Sequence, residues 1–320
     1  MNALSKQLSY NWSGVPVLVT GAAGFLGSHL SERLAQLGAK LMLVDDYSNA
    51  ALPRGQQLAG QPVLPVRVCS SRLIEIMTIT RPEVIFHLAG NAYAAGSVVD
   101  PARDMLANLA STFRLLEALR ALRFSGIFVF ASSAAIYGEP RYLPVDENHP
   151  ACPISPYGVS KLATERYVSV YATLYSVRAV SIRLFSLYGP RQRKQVVYDL
   201  ITKLRGQDSR LLLGDGSQIR DLVYVSDAVE AMLMVSERGI HDGSVYNLCS
   251  GVGITIRQLA EEVSAMLDVH VPIQFSGEKR PGDPDCWIGS PAKLADLGLV
   301  PQMPLCDGLR RTIDWFLANN

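Results

Sequence analysis

Val15-Pro-Val-Leu-Val-Thr20 runs straight into Gly21-Ala-Ala-Gly24-Phe-Leu-Gly27, and this junction decides the fold. A short run of apolar, β-branched residues without polar alternation reads as a strand buried on both faces, as in parallel sheets. Glycines spaced by two residues then let the backbone turn tightly and come close to a phosphate group. Phe25 to Leu37 carries helical periodicity, and Gly38 stops it. A strand, a glycine turn and a helix in this order make a dinucleotide-binding unit, because the helix amino terminus favours the negative pyrophosphate. Gly21, Gly24 and Gly27 are therefore candidate cofactor contacts.

Outward from this junction, Lys40–Asp45, Val63–Val68, Glu83–Leu88, Gly126–Ala131 and Ala179–Leu184 read as further strands. Helices are expected near Leu73–Ile79, Arg103–Leu122 and Pro156–Tyr175. This alternation predicts an α/β fold, a doubly wound parallel Rossmann-type sheet with a smaller carboxyl-terminal α/β lobe. Residues 1–184 are expected to form the dinucleotide-binding domain and 185–320 mainly the second lobe. Strands near 221–226 and 245–248 are expected to return to the main sheet. In the second half, Gln195–Arg205, Ser226–Glu237, Thr255–Leu267 and Leu305–Leu317 read as helices, Arg210–Leu213 as extended and Gly214-Asp-Gly216 as a turn.

Asp45 and Asp46 stand at the end of the second strand. A carboxylate there accepts hydrogen bonds from ribose hydroxyls and repels the extra phosphate of NADP, so NAD is the expected cofactor. Tyr157 and Lys161 are four apart and share one helix face. An ammonium beside a phenol favours its ionisation, and a tyrosinate can take a proton from an alcohol. Phe128–Ala131 delivers Ser132 and Ser133 to a loop. Ser133 as oxygen donor, Tyr157 as base and Lys161 as tuning cation supply the groups that alcohol oxidation needs.

Composition narrows the class. The 320 residues are 48% hydrophobic and 18% charged with net charge +1, which suits a globular chain and leaves no nucleic-acid footprint. No apolar run is long enough to span a bilayer, and the polar start lacks a signal-peptide core. Cys69, Cys152, Cys249, Cys286 and Cys306 are scattered, without metal-site spacing, which points to reduced thiols, a cytoplasmic protein and no metal.

These segments jointly resemble the extended short-chain dehydrogenase/reductase family, within it the NAD-dependent nucleotide-sugar epimerases and dehydratases. The resemblance spans Val17 to Trp315. It rests on the glycine turn and on Phe86-His-Leu-Ala-Gly90, Ser97-Val-Val-Asp-Pro101, Ala131-Ser-Ser-Ala-Ala-Ile-Tyr-Gly138, Tyr157-Gly-Val-Ser-Lys161, Tyr188-Gly-Pro-Arg191, Gly214-Asp-Gly-Ser-Gln-Ile-Arg-Asp221 and Arg280-Pro-Gly-Asp283. It implies that Phe25 and Leu26 lie along the pyrophosphate and that Leu88, Ala89 and Gly90 line the path towards the nicotinamide. Asn49 joins Asp45 and Asp46 as an expected cofactor contact. Arg220 and Arg280 are implied to grip the substrate's nucleotide diphosphate, with UDP the family's commonest case. Asp221 and Asp283 are expected as structural partners of these arginines, Asp283 within the substrate site. Ser186 stands where many relatives carry an Asn that contacts the substrate, and Cys69-Ser70 where relatives carry an Asp near the adenine. Arg193 belongs to a basic segment, Arg191–Lys194, that suits an additional substrate phosphate or carboxylate. The family pattern also implies a homodimer formed through the two long helices.

The residues after Ser133 separate the family's reactions. Dehydratases usually carry Asp then Glu there, and decarboxylating relatives a Glu in the second place. Ala134 and Ala135 cannot transfer a proton, which disfavours both. The resemblance therefore implies a 4-epimerase: transient oxidation of the sugar C4 by NAD, then return of the hydride to the opposite face. The alternatives are a C4 dehydrogenase or 4-keto reductase, then a dehydratase or decarboxylase, and outside enzymology an NAD-binding regulatory protein.

Overall fold

A computed structural model describes residues 9–206, 214–269, 272–278 and 282–319. In chain order the strands are β1 (Pro16–Thr20), β2 (Lys40–Asp45), β3 (Gln57–Leu58), β4 (Gln61–Pro62), β5 (Leu64–Pro65), β6 (Val84–His87), β7 (Ile127–Ser133), β8 (Ala179–Leu184), β9 (Ser186–Tyr188), β10 (Ile219–Tyr224), β11 (Asp242–Leu248) and β12 (Gly253–Thr255). The helices are α1 (Phe25–Gln36), α2 (Ser71–Thr80), α3 (Ala94–Val99), α4 (Pro101–Met105), α5 (Ser111–Ala121), α6 (Pro156–Tyr175), α7 (Val196–Arg205), α8 (Val225–Arg238), α9 (Ile256–Met266), α10 (Ala292–Ala295) and α11 (Leu305–Asn319).

One seven-stranded parallel sheet, ordered β11-β8-β7-β6-β1-β2-β5, forms the centre. Helices cover both of its faces, as the continuous apolar strands require. Val17, Val19, Leu41, Leu43 and Phe86 pack with Leu30 and Leu34 of α1 and Leu233 of α8. Leu18, Val44, Ile85, Phe128 and Phe130 pack oppositely, with Leu73 of α2, Leu119 of α5 and Val168 of α6. Truncating one such leucine to alanine costs about 2–5 kcal/mol, through lost burial and the cavity left behind. The strand order reverses between β1 and β6. The carboxyl ends of these two strands therefore flank a crevice, the usual ligand position in a sheet of this type.

Four expectations need correction. The stretch 63–68 contributes only β5, because Pro62 and Pro65 lack the amide donors that would extend the ladder. Ser132 and Ser133 are the last residues of β7 and not part of a loop. The helix expected from 103 to 122 starts earlier, with α4, and is interrupted by a π turn at Leu106–Ala110. The strand near 221–226 does not return to the main sheet: β10 lies between β9 and β12 in a separate three-stranded sheet. Residues 245–248 lie in β11, which pairs with β8 in the main sheet. The segment 210–213 lies outside the described residues.

Candidate functional site

At the carboxyl end of β1 the chain turns at Gly21, whose φ of +73° suits glycine. A Cβ there would meet the Ala89 amide nitrogen at 2.7 Å, so the turn lies backbone to backbone against the end of β6. A Cβ at Gly27 would lie 2.0 Å from the Gly21 carbonyl oxygen, closing α1 onto its own turn. Gly24 caps α1 without a side-chain hydrogen bond, and the first turn of that helix carries no acidic residue. Its amide donors are thus left for an anion. Bare backbone, uncapped amides and no competing carboxylate fit a dinucleotide pyrophosphate.

Asp45 is buried: one oxygen accepts from the Ala23 amide at 3.0 Å and the other from the Tyr47 amide at 2.6 Å. Burial raises its pKa, and these amide bonds oppose the rise. The carboxylate thus ties the glycine turn to the end of β2 while keeping spare lone pairs. Asp46 and Asn49 are exposed beside it. Phe25 and Leu26 open α1, and Leu88, Ala89 and Gly90 follow β6 across the crevice.

Ser133 and Tyr157 meet here. Tyr157 begins α6 after the Ser155 cap, and the buried Ser97 hydroxyl accepts from its amide at 3.0 Å. The Ser133 hydroxyl lies near enough to the Tyr157 phenol to lower its pKa, and it accepts from the Ala135 amide at 3.2 Å. Burial pushes the phenol up to about 12; the Ser133 hydrogen bond opposes this and the Asp104 charge adds to it. The Lys161 ammonium lies 5.8 Å from the Tyr157 ring centroid. Lys161 donates to the Ala131 carbonyl at 2.8 Å and lies 4.9 Å from the Phe130 ring centroid. Its long stem reaches past the tyrosine to β7, and burial pulls its pKa down to about 8. Ala134 and Ala135 are buried beside Ser133.

Several polar residues at the site were missed by sequence reasoning. Asp104 is fully buried and accepts from Ser160 at 2.7 Å and from the Asn108 amide at 2.8 Å. Asn108 lies in the π turn and grips the backbone of Asn91. Beneath Ser133, Ser132 donates to Glu165 at 2.9 Å, and Glu165 forms a buried ion pair with Arg183. Arg183 in turn donates to the Tyr137 hydroxyl at 2.8 Å. The available signal was an Asp and an Asn four apart, one turn of helix, and a Glu eight residues after Tyr157.

On the other side of the crevice, Arg220 is buried on β10, paired with Asp283 at 2.5 Å and 5.5 Å from the Trp287 ring centroid. Among the described residues Asp221 has no arginine partner. It turns away and accepts from the amides of Ser250, Gly251 and Gly289. Ser186 is half-buried on β9 opposite Leu222. Arg193 is exposed in a loop whose neighbour Arg191 is engaged by Glu32. Arg280 lies outside the described residues. Cys69 is exposed, and the five cysteines are free thiols. No metal-binding cluster occurs among the described residues. A cavity bounded by Trp12, Met77, Arg81 and Arg123 opens at the amino ends of β6 and β7, the opposite pole from Tyr157.

Comparison with known proteins agrees with this geometry. The family model described as "NAD dependent epimerase/dehydratase family" matches residues 17–249. The UDP-glucose 4-epimerase of Mycolicibacterium smegmatis is 30% identical, covering 93% of this chain and 97% of its own. The crystal structure of UDP-glucose 4-epimerase from Thermotoga maritima with UDP-glucose superposes with a TM-score of 0.88 at 32% identity, covering 95% of this chain and 99% of that one. The UDP-glucose 4-epimerase of Thermus thermophilus, in complex with NAD, gives 0.87 at 33% identity, covering 96% and 100%.

Proposed function

Because this chain belongs to the NAD dependent epimerase/dehydratase family, we propose that it is a UDP-sugar 4-epimerase with Ser133, Tyr157 and Lys161 as its catalytic groups. The observation that carries this is the meeting of the Tyr157 phenol with Ser133 at the crevice, while Ala134 and Ala135 leave no acid or base beside them. The Ser133 hydroxyl holds the sugar O4, and Tyr157 takes its proton and later returns it. NAD, when bound, would supply an acceptor and donor for the C4 hydride, and its charged ring would favour the ionised phenol. Without that charge, burial keeps the phenol protonated at neutral pH. Lys161, buried beside the phenol, supplies a cation and hydrogen-bond donors to the nicotinamide ribose.

The cofactor cradle is Gly21, Gly24, Phe25, Leu26 and Gly27, with Asp45, Asp46 and Asn49 towards the adenosine ribose and Leu88–Gly90 along the crevice floor. Arg220 offers a fork of donors to the UDP diphosphate, positioned by Asp283. Arg280, Ser186 and Arg193 complete the proposed substrate contacts. The functional boundary falls near residue 184, although β11 crosses back into the main sheet.

Two copies associate in this proposal through the helices flanking the site. Val99, Met105, Leu106, Val170 and Leu174 on α3, α4, the π turn and α6 are exposed apolar residues, and a patch of this kind marks an interface. Sedimentation equilibrium of a Leu174→Asp/Leu106→Asp variant tests it: a monomer is expected, and an unchanged dimer refutes the surface. No described helix is long and apolar enough to cross a membrane, and we place the enzyme in the cytoplasm with no nucleic-acid partner. The functional test is incubation with UDP-glucose and UDP-galactose followed by mass spectrometry and C4 stereochemistry. Unchanged mass with inverted C4 is expected. Loss of water, or of two hydrogens with accumulating NADH, refutes the proposal.

A further inference from the structure

Asp104 presents a problem that the proposed chemistry does not absorb. Its side chain is fully buried, yet it belongs to no ion pair among the described residues. A carboxylate taken out of water without a cation is costly, so its place requires a local reason. Its two oxygens accept from two neutral side chains that lead in different directions.

One is Ser160, which lies on α6 between Tyr157 and Lys161 and donates at 2.7 Å. The other is Asn108, whose amide nitrogen donates at 2.8 Å. A carboxylate only accepts, so it fixes which end of the Asn108 amide faces it. The remaining Asn108 groups then match the Asn91 backbone: Oδ1 accepts from the Asn91 amide at 3.0 Å, and Nδ2 donates to the Asn91 carbonyl at 3.2 Å. The fit leaves no space, since a Cβ on Gly90 would lie 2.5 Å from Asn108 Oδ1. Asn108 occupies the π turn, a departure from regular helix that often marks a functional position.

We infer that Asp104 is a positioning residue: through Ser160 and Asn108 it locks the Tyr157–Lys161 face of α6 to the Gly90–Asn91 turn, holding the reacting groups in register with the dinucleotide. This rests on the proposal that the dinucleotide runs along Leu88–Gly90. The same carboxylate acts on both reacting groups, raising the pKa of Tyr157 and of Lys161. The other groups facing this centre are Ser133 from β7 and His87 from β6. Burial and Lys161 hold His87 down to about 3, so it stays neutral in the working range.

The test compares full-length wild type with Asp104→Ala and Asp104→Asn. The readouts are NAD retained through gel filtration, kcat and KM for UDP-galactose, and the pH profile of kcat, with circular dichroism as the folding check. For the alanine variant kcat falls about ten- to a hundredfold, the scale expected of misplaced reacting groups. Its KM stays within about threefold, and NAD is lost faster. The asparagine variant keeps a hydrogen-bonding group of the same size. It recovers NAD retention and most of kcat, while its kcat profile moves to lower pH, because the anion that raised both groups is gone. A folded alanine variant with wild-type kcat and NAD retention overturns the inference, and so does an asparagine variant whose profile does not move. If the alanine variant does not fold, the asparagine profile decides. A wild-type chain that retains NAD but inverts no UDP-sugar refutes the functional proposal instead, and the NAD loss of the alanine variant still reads the lock.

Discussion

Replacing Tyr157 with phenylalanine removes one oxygen from the centre of the site and little else. The ring is only 7% exposed and its packing is unchanged by the substitution. Ser133 still accepts from the Ala135 amide, while its own hydroxyl proton loses the phenol oxygen as acceptor. One hydrogen bond between neutral groups contributes about 0.5–1.5 kcal/mol. The melting temperature is therefore expected to fall by no more than ~4 °C for a chain of this size. The rate responds on a different scale. A positioned general base supplies about 10²–10⁴-fold, which is roughly 3–5 kcal/mol of activation free energy. The assay is interconversion of UDP-galactose and UDP-glucose by Tyr157→Phe enzyme carrying its full complement of NAD. kcat is expected to fall by about 10³-fold, with KM within about threefold because the diphosphate grip is untouched. A folded, NAD-loaded variant within about tenfold of wild type would remove Tyr157 from the mechanism.

Gly27→Ala places a methyl 2.0 Å from the Gly21 carbonyl, where only backbone can give way. Overpacking of about 1–3 kcal/mol is expected to weaken NAD retention roughly ten- to a hundredfold, and wild-type NAD content after purification contradicts the cradle. Arg220→Ala removes charge-assisted bonds of about 1.5–3 kcal/mol. It should raise KM for UDP-galactose roughly ten- to a hundredfold without changing bound NAD, and an unchanged KM excludes the diphosphate role. Burial lowers the Lys161 pKa to about 8, so its ammonium is present below that pH and lost above it. kcat is expected to decline on the alkaline side with a midpoint near about 8, and Lys161→Arg moves the decline upward because guanidinium stays charged. An unmoved limb in that variant assigns the decline to another group.

Much of this architecture was legible in the sequence because the strands are short apolar runs with sharp stops. Thr20-Gly21 marks the end of β1, and the distance to Asp45 marks β2. Ser133, Tyr157 and Lys161 could be singled out as candidates because side-chain type and helical spacing are local properties. Less was legible where tertiary contacts decide. Residues 219–224 read as a strand, but pairing with Ser186–Tyr188 and Gly253–Thr255 depends on partners far away in the chain. The direction in which Lys161 extends is set by the Ala131 carbonyl, not by helical spacing from Tyr157. Asp104 and Asn108 were hidden in a helix of mixed polarity whose π turn no spacing rule announces. Asp221, adjacent to Arg220 in sequence, points to the opposite side of β10 and serves backbone amides.

The central claim is that the hydrogen leaving C4 comes back to the same carbon on its other face. UDP-galactose carrying deuterium at C4, incubated with NAD-loaded enzyme in ordinary water and followed by mass spectrometry and proton NMR, tests this directly. The expected product is UDP-glucose with the deuterium still on an inverted C4. Loss of the label to solvent, or a keto product with accumulating NADH, would contradict it.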